Sequence, residues 1–514
     1  MKAHAPSQDI STAADACYAA MKARDARFDG CFFTAVTSTG IYCRPVCSVK
    51  APKRENCRFF SHAAQAESAG FRPCLRCRPE LAPHSVVWSI QDASYILAHQ
   101  AARLLDEPEG WTDSFPTVEK LALKLGISDR HLRRIFEAQF GVSPLQYLQT
   151  RRLLTAKQLL ADTQLPVTHI ALMSGFASVR RFNAAFAAHY QLNPTQLRRA
   201  APKADAAQGI TIKLGYRPPY DARAMLAFME TRRIKGIEAI AVESIAIESI
   251  AASPSKCWAR RTFGIETAGK KQVGWLQMQF DEPRHQLVLT VSDSLHGVLP
   301  LVIRRVRAAF DLDANPQAIN AVLHNDFPTG DGLRVPDALD GFELAVRAVL
   351  GQQITVAAAR TLAQRLVDKF GEPIATPWPE LTRLFPWPSV LAVATGDELG
   401  QLGIVRQRQA AIVGLAKAVA GGLQLHGGAD VLATVEALKA LPGIGDWTAQ
   451  YIAMRALRWP DAFPAGDVAL HKILGVQGLK NPPKLAEAAS LSWKPWRSYA
   501  VIRTWSGAWC GTTT

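Results

Sequence analysis

Two closely spaced cysteine pairs are the residues of this sequence best suited to metal binding or nucleophilic chemistry. Cys43 and Cys47 lie in "TGIYCRPVCSVK" with three residues between them, and Cys74 and Cys77 lie in "FRPCLRCRPE" with two between them. Each spacing lets two sulfur atoms bind one ion, and four thiolates complete a tetrahedral zinc site. Spacing alone favours a site that only stabilises the fold, and it leaves open that one sulfur reacts.

Basic residues surround the cysteine pairs and indicate which partner could approach them. They are Arg44, Lys50, Lys53, Arg54, Arg58, Arg72, Arg76 and Arg78. Such charges would bring a phosphate backbone up to the metal, and we predict that Arg72 and Arg76 contact DNA. The other cysteines stand apart and are predicted to be small buried residues; they are Cys17, Cys31, Cys57, Cys257 and Cys510.

A second candidate site lies in "LPGIGDWTAQYIAMRALRWPDAFPAGDVALHK". Gly443 and Gly445 allow a tight turn between helices, and the exposed N–H groups of that turn can hold a DNA phosphate. Trp447 and Tyr451 lie four residues apart and share one helix face, and Asp467 follows a Pro and Gly break at the predicted start of a helix. Taken alone, this pattern favours core aromatics and a capping aspartate.

Two segments of the middle region share one plan that is typical of DNA-binding proteins. They are "PTVEKLALKLGISDRHLRRIFEAQFGVSPLQYLQ" and "PVTHIALMSGFASVRRFNAAFAAHYQLNPTQLR". Each predicts a helix, a glycine turn, a serine N-cap (Ser128 or Ser178) and a basic helix, which is a helix-turn-helix. The candidate DNA contacts on the basic helices are Arg133, Arg134, Arg180 and Arg181.

Length and charge set limits on the whole molecule. The 514 residues predict three or four domains at about 150 residues each. A net charge of +15 with 48% hydrophobic residues indicates folded domains that attract a polyanion, most commonly nucleic acid, although a basic solvated surface without function is the alternative. Neither a leader after "MKAHAPSQDI" nor an apolar segment of membrane-spanning length is evident, so no membrane partner and a cytoplasmic location are expected.

Local composition separates the remaining segments. The stretch "RRAAPKADAAQG" is predicted to be a linker, and "GITIKLGY" and "QLVLTVSDSL" alternate as strands do. The tandem "AVESI" and "AIESI" is too short for a repeat architecture and is interpreted as an insertion without an assigned role.

The cysteine region, roughly residues 28–80, resembles the N-terminal domain of the Ada family in "DGCFFTAVTSTGIYCRPVCSVKAPKREN" and "AGFRPCLRCRPE". The resemblance implies that Cys43 accepts a methyl group irreversibly from a methyl phosphotriester in DNA, and that Cys47, Cys74 and Cys77 are the other zinc ligands. A zinc-bound thiolate stays deprotonated at neutral pH, and its methylation removes one negative charge from the centre. Repulsion between the zinc centre and the DNA backbone would then fall. Methylation of Cys43 would therefore act as a damage-dependent switch that raises DNA affinity.

Residues 85–200 resemble the DNA-binding domain of AraC-type activators, which Ada proteins carry directly after the zinc domain. The second methyltransferase domain that usually follows in Ada has a Pro-Cys-His-Arg active site, and this tetrapeptide does not occur in the sequence. Direct repair of O6-methylguanine is therefore not expected.

Residues 209–514 resemble AlkA-type 3-methyladenine glycosylases of the helix-hairpin-helix superfamily, as in "FELAVRAVLGQQITVAAARTLAQRLV" and "WKPWRSYAVIRTW". The resemblance implies that Asp467 is the catalytic carboxylate and that Trp447, Tyr451 and Trp505 line the base pocket. Gln353 stands where the family inserts a leucine wedge, which makes the wedge polar. Trp447 stands where lyases of the superfamily have a lysine, so a monofunctional enzyme is expected. The resemblance also implies a monovalent cation on hairpin carbonyls, those of Lys439, Leu441 and Gly443.

Together these features predict a multidomain, mainly α-helical protein of alkylation-damage response and repair. The predicted domains are an Ada-type α+β zinc domain at 1–84, an AraC-type domain at 85–200, an α+β subdomain at 209–300 and a helix-hairpin-helix glycosylase domain at 301–514. The expected partners are alkylated and operator DNA and, for an activator, RNA polymerase. Two alternatives stay open: a transcription factor whose glycosylase-like half only binds DNA, and a repair enzyme whose zinc site is structural.

Overall fold

The computed structural model describes residues 10–83, 93–106, 116–200, 209–242, 257–267 and 269–507. Two compact units make up the chain. Unit 1 comprises Met1–Pro218 with the short segments Pro283–Gln286 and Leu312–Ala314, and unit 2 comprises Pro219–Glu282, Leu287–Asp311 and Asn315–Thr514. Most of the "RRAAPKADAAQG" stretch, most of the tandem insertion, and Cys510 lie outside the described residues.

Unit 1 contains a small four-stranded sheet near its N-terminal end. Its strands run in the order β3-β1-β2-β4, and β1 is antiparallel to both β2 and β3. The strands are β1 Phe33–Val36, β2 Ile41–Cys43, β3 Cys57–Phe60 and β4 Arg72–Pro73. One face carries Phe33, Ala35 and Tyr42 into a core with Phe71. The other face carries Thr34 and Cys43. Cys43 is the last residue of β2.

Helices form the rest of unit 1. They are α1 Ile10–Ala23, α2 Ala63–Ser68, α3 Ala93–Asp106, α4 Val118–Lys124, α5 Asp129–Phe140, α6 Pro144–Asp162, α7 Val167–Met173, α8 Val179–Tyr190 and α9 Pro194–Ala200. The pairs α4–α5 and α7–α8 are the two predicted helix-turn-helix motifs, and the long α6 joins them. The strand β5 Ile210–Gly215, which corresponds to the predicted strand "GITIKLGY", closes the unit.

The two predicted serine caps are confirmed. The Ser128 hydroxyl accepts the His131 N–H at 3.2 Å, and the Ser178 hydroxyl accepts the Arg181 N–H at 3.3 Å. A serine cap satisfies a backbone donor that the first turn of a helix leaves without a partner. Both basic helices therefore begin where the sequence predicts.

Unit 2 starts with the helix α10 Ala222–Thr231 and four neighbouring strands in the order β9-β8-β7-β6, in which β7 is antiparallel to both β6 and β8. Its strands are β6 Glu238–Val242, β7 Cys257–Thr267, β8 Lys270–Asp281 and β9 Gln286–Val291. The strand β9 confirms the prediction for "QLVLTVSDSL". Gly264 faces the Trp387 ring, and a Cβ there would lie 2.9 Å from the indole, which explains a glycine inside a strand.

The remainder of unit 2 is helical, as predicted. Its helices are α11 Leu299–Ala309, α12 Pro316–Leu323, α13 Gly341–Leu350, α14 Val356–Phe370, α15 Pro388–Leu391, α16 Gly396–Gly400, α17 Arg406–Ala420, α18 Val431–Lys439, α19 Asp446–Arg455, α20 Val468–Ile473, α21 Pro482–Ala489 and α22 Arg497–Trp505. The hairpin of interest joins α18 to α19. No helix in the described part of the chain is long and apolar enough to cross a membrane.

Candidate functional site

The four paired cysteines converge on one point in unit 1. The Sγ atoms of Cys43, Cys47, Cys74 and Cys77 lie within 4.8 Å of one another, and three of the four residues are buried. Sulfurs arranged tetrahedrally around zinc at about 2.3 Å lie roughly 3.8 Å apart. The cluster therefore fits a four-thiolate zinc ion, as the spacing predicts.

The four sulfurs differ in their hydrogen bonds. The N–H of Arg44 donates to the Cys77 Sγ at 3.3 Å, and the N–H of Arg76 donates to the Cys74 Sγ at 3.4 Å. Within the described ranges Cys43 accepts no backbone N–H hydrogen bond. A hydrogen bond withdraws charge from a thiolate and lowers its nucleophilicity, so Cys43 retains more reactivity than Cys74 or Cys77.

A cavity of about 280 Å³ opens beside Cys43 and Cys47. Its wall also includes Thr34, and Lys22 and Arg24 stand exposed at its edge. Neither cation stands out in the sequence, because both lie about twenty residues before Cys43 and only the fold brings them there. The Arg24 guanidinium donates to the carbonyl of Ser48 at 3.2 Å, which holds it near the loop of Cys47.

Two of the arginines expected to attract DNA are used inside the protein. Arg44 is buried and forms an ion pair with Asp29. Arg78 pairs with Asp162 at 2.6 Å and Glu80 at 3.0 Å. The expectation for these two is wrong, because buried guanidinium groups that are already paired with carboxylates cannot face a phosphate. Asp29 and Asp162 are distant in sequence from the arginines they pair with, so the spacing of the motif does not reveal these two ion pairs.

Other members of the basic set stay near the surface. Arg76 is exposed and Arg72 half-buried, while Lys50 and Lys53 are exposed. Arg54 pairs with Asp15 at 2.8 Å, and Arg58 lies over the rings of Phe60 and Phe71. The predicted DNA contacts Arg72 and Arg76 thus remain candidates. Among the isolated cysteines, Cys57 and Cys257 are buried as predicted, whereas Cys17 and Cys31 are only partly buried.

The loop that carries Cys74 and Cys77 is fixed to α6 by buried charges. Lys157 of α6 donates to the Cys74 carbonyl at 3.2 Å and pairs with Glu80. Asp162 at the end of the same helix pairs with Arg78. The cysteine cluster and the helix between the two helix-turn-helix motifs are therefore held together by paired, desolvated charges.

The basic helices α5 and α8 of the two motifs differ in how far their arginines are paired with neighbouring side chains. Arg133 lies 3.5 Å from Glu119 and 3.9 Å from Asp129, and Arg134 contacts the His131 ring at 3.0 Å. Arg180 and Arg181 of α8 are exposed and form no ion pair with any described residue. The second motif therefore presents its arginines more freely to an anion.

Aromatic rings and one carboxylate form the candidate site of unit 2. Trp447 and Tyr451 of α19 stack with centroids 5.2 Å apart and planes 17° apart, and Trp505 of α22 lies 6.1 Å from Tyr451. All three are half-buried, so they are not the core aromatics that their spacing favours. They line a cavity of about 370 Å³ that also includes Asp467 and Phe228.

Asp467 caps α20 and faces the rings at the same time. One carboxylate oxygen accepts the N–H groups of Ala469 at 3.0 Å and Leu470 at 3.1 Å. The indole of Trp447 donates to the other oxygen at 3.2 Å, and the indole of Trp505 donates to the first at 3.3 Å. A helix cap and a site residue were alternatives in the sequence, and in the structure Asp467 both caps α20 and lines the cavity.

Charged residues that were not predicted from the sequence also line the cavity. Arg455, one turn after Tyr451 on α19, donates to the Tyr451 hydroxyl and lies 5.0 Å from the Phe228 ring. Asp337 also lines the cavity, and burial raises the pKa of its carboxyl well above its usual range while Arg458, 3.2 Å away, opposes the shift. The four-residue spacing from Tyr451 could have identified Arg455, but nothing local marks Asp337.

The hairpin is hydrogen-bonded to the loop after α13, and that loop borders the cavity through Gly351 and Ile354. Gly443 has a φ of +81°, which the turn requires, and its carbonyl accepts the Gln352 amide at 2.9 Å. That anchored loop exposes Gln353, whose φ of +55° is unusual for a residue with a side chain. The Leu441 carbonyl accepts the Ile444 N–H at 3.2 Å, so two of the three predicted cation-binding carbonyls already accept one hydrogen bond.

Comparison with known protein families matches four stretches in chain order. The model described as metal binding domain of Ada matches residues 16–80, and a helix-turn-helix domain matches 121–200. The AlkA N-terminal domain matches 211–340, and the HhH-GPD superfamily of base excision DNA repair proteins matches 346–498.

Three characterised or named proteins illustrate the similarity. A probable bifunctional transcriptional activator/DNA repair enzyme AlkA of Mycobacterium tuberculosis is 35% identical over 502 residues, which cover 95% of each chain. The DNA-3-methyladenine glycosylase 2 of Escherichia coli is 33% identical and covers 57% of this chain and 95% of its own. The bifunctional transcriptional activator/DNA repair enzyme Ada of Escherichia coli is 38% identical over 30% of this chain and 40% of its own.

Proposed function

We propose, from the premise that this chain belongs to the family of bifunctional transcriptional activator/DNA repair enzymes of the Ada and AlkA type, that it performs two reactions on alkylated DNA. Unit 1 accepts a methyl group from a methyl phosphotriester on Cys43 and thereby becomes an activator. Unit 2 releases alkylated bases such as 3-methyladenine by hydrolysing the N-glycosidic bond. The same premise supports the four predicted domains as separate functional parts and RNA polymerase as the partner of the activator.

The base-release proposal depends on the Asp467 carboxylate, which two indoles hold beside a stack of rings. An alkylated purine with a positive charge is a good leaving group, and electron-rich rings at stacking distance stabilise it once it leaves the duplex. As the C–N bond breaks, its electron pair moves to the base and positive charge develops on the sugar. The carboxylate of Asp467 stabilises that charge and orients the attacking water. Trp447 offers no amine for a Schiff base, which supports a monofunctional glycosylase.

DNA contacts would come from backbone and surface groups around this pocket. The N–H groups of the turn at Gly443 and Gly445 suit a phosphate, and Gln353 on its rigid loop suits the gap that a flipped base leaves. The carbonyls of Lys439, Leu441 and Gly443 would hold a monovalent cation with their remaining lone pairs. Such a cation would strengthen the hairpin's hold on a phosphate.

The methyl-acceptor proposal depends on the difference between Cys43 and the other sulfurs. When zinc is bound, it keeps the four sulfurs as thiolates at neutral pH. A lone pair of the Cys43 Sγ forms the bond to the methyl carbon, the C–O bond breaks, and its electron pair stays on the phosphate, which leaves as a phosphodiester. Cys43 borders the cavity and lacks the N–H hydrogen bonds of Cys74 and Cys77. Arg72, Arg76, Lys22 and Arg24 would hold the DNA backbone.

One experiment tests both reactions: the intact chain is incubated with methylated DNA, and free bases and protein-bound methyl are measured separately. Asp467→Asn should abolish base release, because a charge placed where the sugar cation develops changes the rate by roughly a thousandfold. Asparagine still caps a helix, so DNA binding should stay near that of the wild type. Base release within a few fold of wild type would show that Asp467 is only a cap, and methyl uptake by this variant serves as the control.

A further inference from the structure

Thr34 lies directly opposite the reactive cysteine in the small sheet of unit 1. The register of β1 and β2 pairs Thr34 with Cys43, and directly opposed side chains project from the same face with Cβ atoms about 4.5–5.5 Å apart. The neighbouring pair Ala35 and Tyr42 projects from the opposite face into the core. Thr34 therefore belongs to the Cys43 side of the sheet.

The Thr34 hydroxyl is buried and lacks a partner. The residue is 1% exposed, and its Oγ1 makes no hydrogen bond to any described group. It lines the same cavity as Cys43, whose wall combines apolar side chains such as Met21 and Val36 with charged ones such as Arg24. A buried hydroxyl without a partner costs folding free energy, and valine has nearly the same shape without that cost. The Thr34 hydroxyl thus has its donor left for a ligand beside Cys43.

We propose that the Thr34 hydroxyl is a catalytic hydrogen-bond donor to the phosphotriester during methyl transfer to Cys43, an inference that rests on the function proposed above. In that reaction the Sγ–C bond forms while the C–O bond breaks, and the electron pair of the broken bond stays on a phosphate oxygen. The O–H of Thr34 donates to this oxygen as its negative charge develops, and no proton is transferred. The neutral triester attracts the donor less than the anionic product does, so the hydrogen bond favours the transition state.

Two cations at the edge of the same cavity are placed to bind the DNA strand that carries the phosphotriester. Lys22 and Arg24 at the cavity edge are exposed and can meet the flanking phosphates of the strand. The Thr34 side chain, by contrast, is 1% exposed and stands opposite Cys43 in the sheet. A donor in such surroundings acts more strongly on a developing charge than one in water.

The experiment measures the single-turnover rate of methyl uptake by the full-length protein from an oligonucleotide with one methyl phosphotriester, detected as the mass of one methyl group on the intact chain. Thr34→Val should slow uptake by roughly tenfold or more, since the donor to a charged oxygen is lost. Thr34→Ser, which keeps the hydroxyl, should restore most of the rate. Thr37→Val is the matched control, because Thr37 is exposed in the same region and bonds the Asn56 carbonyl.

Thermal unfolding distinguishes a loss of catalysis in Thr34→Val from a loss of folded structure. Thr34→Val should melt at the same temperature as wild type or higher and retain its zinc, because it removes an unsatisfied hydroxyl. A Val variant within twofold of wild type in rate, a Ser variant as slow as Val, or a Val variant that loses zinc and melts earlier would each overturn the proposal. If the wild type takes up no methyl at all, the proposed methyl-acceptor function itself fails.

Discussion

The carboxylate of Asp467 accepts two hydrogen bonds from the start of α20 and two from the indoles of Trp447 and Trp505. The backbone donors fix where the carboxylate stands, and the indoles fix which way it faces. One residue therefore links the helix boundary, the aromatic wall and the charge that the proposed hydrolysis needs.

Trp447→Phe tests the orienting role of the indole, because phenylalanine keeps a ring against Tyr451 but loses the N–H that reaches Asp467. A hydrogen bond to a charged group contributes about 1.5–3 kcal/mol, so the rate constant of base release should fall by roughly tenfold or more. Substrate affinity should change little, since stacking remains. Trp493→Phe is the control: its indole donates to Asp326 away from the cavity, so it should lower the melting temperature without lowering the rate.

Substitution of the cysteines should separate reaction from folding. Cys43→Ala should remove methyl uptake, because Cys43 borders the cavity without a backbone N–H donor among the described residues. Cys47 borders the cavity too but accepts the N–H of Val49, and Cys74 and Cys77 accept those of Arg76 and Arg44. Cys74→Ala should mainly lose zinc and destabilise the domain, since Cys74 lies in the loop fixed by Lys157. Mass spectrometry of digested, methylated protein locates the methyl group. A methyl on any other cysteine would contradict the assignment.

At the level of helices and strands, local signals were sufficient where the structure depends on neighbours in sequence. Ser128 and Ser178 cap their helices as predicted, because a cap involves residues three positions apart. The same approach failed for Arg44 and Arg78, whose partners Asp29 and Asp162 lie 15 and 84 residues away. Whether a charge faces DNA or a buried carboxylate depends on packing that spacing does not encode.

The two basic helices, α5 and α8, should contribute unequally to the salt dependence of DNA binding. Neutralising both Arg180 and Arg181 with alanine should reduce the slope of log affinity against log salt by about 2, because each free cation displaces counterions from one phosphate. The matched double variant of Arg133 and Arg134 should reduce it less, since Arg133 already lies near Glu119 and Asp129. Titrations of one duplex at several salt concentrations give both slopes. Equal reductions would show that the ion pairs of α5 open on DNA.

For the whole molecule, motif order was enough to predict what the chain contains. The cysteine pairs, the serine-capped helices and the glycine hairpin each depend on a short segment, and each lies where the sequence places it. What could not be predicted is how the segments support one another. Thr34 reaches Cys43 only through strand register, and Asp337 reaches the aromatic cavity only through the tertiary fold.

Methylation of Cys43 should raise the affinity of the whole protein for unmodified DNA, by roughly tenfold at low salt, because it removes one negative charge beside a basic face. The buried pairs of Lys157 with Glu80 and Arg78 with Asp162 fix the cysteine loop to α6, so the effect should be electrostatic and should shrink as salt screens it. Dissociation constants of methylated and unmodified protein, measured across a salt series, test this. Glu55→Gln is the matched control: it also removes one negative charge, but from a side chain that is 72% exposed, where water and ions screen it, so its effect should be several-fold smaller. Equal affinities of the methylated and unmodified proteins at low salt would rule out the switch, and a difference that persists at high salt would assign it to a conformational change instead.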